Sequence, residues 1–155
     1  MSAIDLSATY KLPKRGEELF RIFARFEFAL KEAGFATNKH DTVEIHWDKF
    51  ANDSLGATFF DKVKSQKIAE TILEKPPSKQ IILNGNIDWQ PTLPPTNIQS
   101  LIGAVRRVRN NLLHGGKYGD IDAERDDKLV KESIAILILA LEICEDVRQP
   151  FEGKY

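Results

Sequence analysis

The sequence predicts an all-α fold, a single domain over residues 1–155 built as a bundle of four main helices. Three observations predict it. Apolar residues recur at helical spacing, glycines and prolines stand where the pattern stops, and no linker or repeat divides the 155 residues, a length that suits one domain. The balance of 42% hydrophobic to 29% charged residues excludes a disordered or fibrous chain and allows a core without metal or disulfide staples.

The first helix is predicted over 17–33, where Phe20, Phe23, Phe26, Phe28, Leu30 and Ala33 form a broad apolar face and Gly34 supplies the stop. Residues 40–50 (HDTVEIHWDKF) alternate only briefly, so short helix, loop and strand all stay open. A second helix is predicted over 54–74 on Phe59, Phe60, Val63, Ile68 and Ile72, ended by Pro76 and Pro77. Ile81–Leu83 followed by Asn84-Gly85 fits a short strand and turn, which leaves room for an irregular or hairpin insertion around 78–95.

The third helix, 97–114, starts at a Thr96 or Asn97 cap and carries the stripe Leu101, Val105, Val108 and Leu112 before Gly115-Gly116. The fourth, 123–148, is apolar nearly all round from Ile134 to Cys144, which places it either at the centre or beneath a second subunit.

No secretory signal is read in the first residues. The longest apolar run, Ile134 to Leu141, is far short of the roughly 20 residues that cross a bilayer. A soluble, cytoplasmic protein without membrane contact is expected. The single cysteine, Cys144, reads as a small buried hydrophobe. Net charge is −1, so an anionic partner has to be met by a local patch rather than by the whole surface.

Such a patch exists between Ala104 and Tyr118, where Arg106, Arg107, Arg109 and Lys117 stand with His114 and no acid. This concentration suits phosphate, although most charge clusters are only a solvated helix face. Arg106 and Arg107 point away from the apolar stripe and fit the solvated description. Arg109 lies on the stripe's edge, and an arginine there requires a carboxylate or a ligand. Glu27, the acid inside the first helix's apolar run, is a candidate partner.

His114 closes the helix. An imidazole there, where carbonyl ends favour its charged form, can exchange a proton with a ribose 2′-hydroxyl or a leaving 5′-oxygen. Arg109 can brace the phosphorane between them. On an ideal helix the two residues stand about 140° apart, so they do not share one face.

Other chemistries find no frame. His40 and His46 lack a second ligand cluster for zinc, and Gly115-Gly116-Lys117 is not a phosphate-binding loop. The acids Asp120 to Asp127 lack calcium-loop spacing, and Trp47 and Trp89 read as core or interface anchors. No metal and no cofactor is expected.

The segment Arg109-Asn110-Asn111-Leu112-Leu113-His114 resembles the R-x4–6-H signature of the HEPN (higher eukaryotes and prokaryotes nucleotide-binding) superfamily, near the end of a helix late in a small helical domain. The opening helix FRIFARFEFALKEAGF, with Glu27, resembles theirs too. The resemblance implies a helical bundle that dimerises so that two Arg–His pairs line one cleft. It further implies metal-independent RNA cleavage leaving a 2′,3′-cyclic phosphate, in toxin–antitoxin or anti-phage settings. Arg109, His114 and Asn110 would then be catalytic, Arg106, Lys117 and Tyr118 would hold RNA, and Glu27 would support them. RNA, a second copy and a cognate antitoxin or regulator are the implied partners. One toxin subgroup carries a modifiable tyrosine two residues after the histidine; here that position is Gly116, with Tyr118 further on. The competing expectation is a non-catalytic module of the same kind that binds a protein or nucleotide.

Overall fold

The computed structural model describes residues 3–115 and 122–154. Helix α1 (Gly16–Glu32) buries Leu19, Phe23, Phe26, Ala29 and Leu30, while Glu17 and Glu18 face the positive end of its dipole. It ends where Gly34 adopts φ 93°, with the Phe35 amide donating to Leu30 O at 2.9 Å and the Gly34 amide to Lys31 O at 3.2 Å, a Schellman closure.

The chain then departs from the all-α expectation. Strands β1 (Ala36–Lys39) and β2 (Thr42–Ile45) pair antiparallel, and β3 (Lys79–Leu83) and β4 (Asn86–Gln90) form a second, separate hairpin. Both turn over two residues with positive φ, His40-Asp41 at 52° and 61° and Asn84-Gly85 at 51° and 77°, the geometry that matches strand twist. The fold is therefore mixed, helices with two two-stranded sheets, and not a plain four-helix bundle. An isolated hairpin is marginal in water. Here β1 and β2 lean on α1, and β3 leans on α5.

The helices are also more divided than predicted. Residues 47–74 form α2 (Trp47–Phe50), a wide π-type turn (Ala51–Leu55), α3 (Gly56–Ser65) and α4 (Glu70–Glu74). Lys67, at φ 54°, breaks the segment predicted as one helix. The reason is phase. Nine residues separate Val63 from Ile72, so an unbroken helix would turn them about 180° apart, whereas both are buried.

Helix α5 (Ile98–Leu113) begins with a capping box in which Asn97 Oδ1 accepts from the Ser100 amide at 2.8 Å and Ser100 Oγ accepts from the Asn97 amide at 3.1 Å. Helix α6 (Ala123–Ile143) packs against α1, α4, α5 and α7 (Glu145–Phe151). Between Ile134 and Leu141 only Ile138 is exposed. The all-round apolar character is thus satisfied inside one chain, because α6 occupies the centre. The predicted fourth helix breaks at Cys144 (ψ 88°), and α7 turns back onto α1, where Arg25 donates to Phe151 O and Pro150 O, both at 2.9 Å. No helix among the described residues is long and apolar enough to cross a membrane.

Candidate functional site

The site is assembled where α5 crosses α1 and α2. Arg106 and Arg109 stand three residues apart on α5 and therefore lie near each other on its surface. Arg109 donates from Nη2 to Glu27 Oε1 at 3.0 Å, and its guanidinium lies 4.5 Å from the centre of the Phe23 ring. The candidate carboxylate is the one it meets. Both side chains of the pair keep about a quarter of their surface, 23% for Arg109 and 26% for Glu27, so the cation is half-buried rather than sealed.

Arg106 corrects the reading of it as a solvated residue. Its guanidinium lies 5.2 Å from the Trp47 ring, and Trp47 itself stacks parallel on Phe26 and tilts against Phe23. The periodicity of α5 could not show this, because the surface that covers Arg106 comes from α2. Burial, then the nearby Arg109 charge, lower the Arg106 pKa, while Glu27 and Asp48 oppose them. The Nε atoms of both arginines are buried and find no acceptor among the described residues. Arg109 thus takes the one carboxylate at ion-pair distance, while Arg106, near Glu27 and Asp48 but paired with neither, keeps N–H groups free for an acceptor.

His114 is the C-cap of α5 (φ −85°, ψ 9°). Its amide donates to Asn110 O at 2.9 Å, and its side chain is exposed. Gly115, at φ 77°, donates to Leu112 O at 3.2 Å and reverses the chain directly after it. Arg109 faces α1, and no contact joins it to His114 among the described residues. Asn110 is half-buried and makes no side-chain hydrogen bond there. Lys117 and Tyr118, expected at the RNA, lie outside the described residues.

Asn111 was not singled out as a site residue, yet it is buried and its Nδ2 donates to Ser78 O at 2.9 Å, tying α5 to the segment that leads into β3. The signal was positional: Asn111 follows Val108 by three and Ala104 by seven residues, on the face that α5 buries. No group of His, Cys, Asp and Glu suited to a metal is found among the described residues. Comparison of the chain with family profiles, with curated proteins and with solved structures gives no match in any of the three.

Proposed function

We propose that the chain is a metal-independent endoribonuclease of the HEPN kind, acting as a toxin or defence effector. The observation that carries this reading is the end of α5, where a half-buried arginine beside a second arginine is followed five residues later by an exposed histidine at the helix's carbonyl end. RNA supplies its own nucleophile. The 2′-oxygen attacks the adjacent phosphorus as its proton leaves, the bond from phosphorus to the 5′-oxygen breaks, and that oxygen takes up a proton. The products are a 2′,3′-cyclic phosphate and a 5′-hydroxyl.

His114 moves a proton in this sequence, and Arg109 meets the charge that gathers on the non-bridging oxygens. Asn110 orients one of them or the RNA, and Arg106, Lys117 and Tyr118 hold flanking nucleotides. Because Arg109 and His114 do not touch within one chain, a two-fold dimer supplies the convergence, with copies of both residues along one cleft. A cognate antitoxin or regulator is the expected partner.

The test compares wild type, Arg109→Ala and His114→Ala, all shown folded, on total RNA in EDTA. Cleavage by wild type and loss in both variants is expected. Equal cleavage by all three would reveal a contaminating nuclease.

A second reading has its own support. Arg109 already has Glu27 and the Phe23 ring as partners, and a structural strut requires no more. On that reading the chain is a non-catalytic module for a partner protein or nucleotide, and no RNA is cleaved by any variant.

A further inference from the structure

The β1–β2 hairpin, the turn entering α2 and the flank of α5 line an open surface cavity of about 250 Å³. Arg106 belongs both to this cavity and to the arginine pair. Its guanidinium, laid along Trp47, forms no ion pair among the described residues. The same lining carries two exposed carboxylates, Glu44 and Asp48, and Asp48 is near enough to Arg106 to favour its charged form. His46 completes the wall. Its Nδ1 accepts from the Lys49 amide at 3.1 Å, so the neutral ring carries its proton on Nε2 and can offer that as a donor.

This lining is unsuited to a bare phosphate, which the two carboxylates would repel. It suits a flat, uncharged group with acceptors on one edge and N–H donors on another. Among the RNA bases guanine fits best. Its O6 and N7 accept the two hydrogen bonds that a guanidinium fork gives, and its N1–H and N2–H groups donate as a pair to a carboxylate. Adenine, cytosine and uracil each lack one of those paired edges.

We propose that this cavity is a guanine subsite, in which Arg106 and the Glu44/Asp48 carboxylates read a base next to the phosphate held at Arg109. The inference rests on the ribonuclease reading for its RNA strand, since a phosphate at Arg109 is what brings a neighbouring base to Arg106.

Binding and cleavage test it separately. Fluorescein-labelled oligoadenylates with and without one central guanine are titrated against the full-length His114→Ala protein, which leaves the cavity intact. A preference of about tenfold for the guanine-bearing strand is expected, within the discrimination of one good bidentate contact. Glu44→Gln with Asp48→Asn, both at exposed positions, should remove the preference while the circular dichroism spectrum stays unchanged. Mapping of wild-type cuts should place guanine at a fixed offset from the cleaved bond, and the double variant should still cut without that offset. Equal affinity for the two strands overturns the subsite, and continued cutting by wild type would then leave the ribonuclease reading standing. A guanine preference without cleavage overturns the ribonuclease reading and keeps the subsite. No binding of either strand overturns the subsite.

Discussion

Arg109 on α5 and Glu27 on α1 meet at 3.0 Å across 82 residues of sequence, with the arginine's planar group laid over Phe23. The pair therefore ties the site-bearing helix to α1 and offsets the arginine's charge. Replacing Glu27 by alanine leaves a half-buried cation without its carboxylate. We expect a loss of about 1–2 kcal/mol, between the values for exposed and fully buried pairs. Urea unfolding measures it, and an unchanged midpoint would show that Phe23 and solvent suffice to hold Arg109.

Asn111→Ala should be costlier than its single hydrogen bond suggests. The Ser78 carbonyl loses its donor in a part-buried setting, and the expected cost is about 1–3 kcal/mol. Hydrogen exchange should locate the loss in β3, which leans on α5, and in its partner strand β4. Uniform acceleration across the whole chain would contradict that placement.

The proposed dimer follows from the site and not from α6. Light scattering at micromolar concentration is expected to give twice the chain mass, and cleavage per chain should fall on dilution. A monomer that cleaves RNA at full rate would remove the composite site.

Cys144 is half-buried, its Sγ lies 3.5 Å from Ser54 O, and burial, helped by Asp146, raises its pKa. A raised thiol pKa means less thiolate at neutral pH, hence slower alkylation by iodoacetamide than a free cysteine shows. The rate should rise with pH past the ordinary thiol range. Labelling at the rate of free cysteine at pH 7 would contradict the burial.

The parts of the fold legible in the sequence are those where one face repeats long enough to average out exceptions. Helices α1 and α5 fall within a residue of the spans read from their apolar spacing, and Glu27 stood out as the acid on a buried face. The hairpins were not legible in the same way. Each strand of β1–β2 has four residues and mostly exposed side chains, so alternation leaves little trace, and Asn84-Gly85 marked the second turn without fixing its strands. The contact of Arg106 with Trp47 was hidden for a different reason. It joins residues 59 positions apart, and neither segment's own periodicity records the other.

Two long-range ties close the molecule: Lys14 N to Asp127 Oδ1, spanning 113 residues, and Arg25 to the carbonyl of Phe151, spanning 126. Together with the central place of α6, they mean that much of the surface on which the first helix packs lies in residues 123–151. A ribosome that has delivered α1 and α5 has therefore made the Arg109–His114 segment but not the core that holds it in place. Contacts of such span are slow to form and come late. The first helix thus stays partly uncovered on a growing chain until residues 123–151 have emerged.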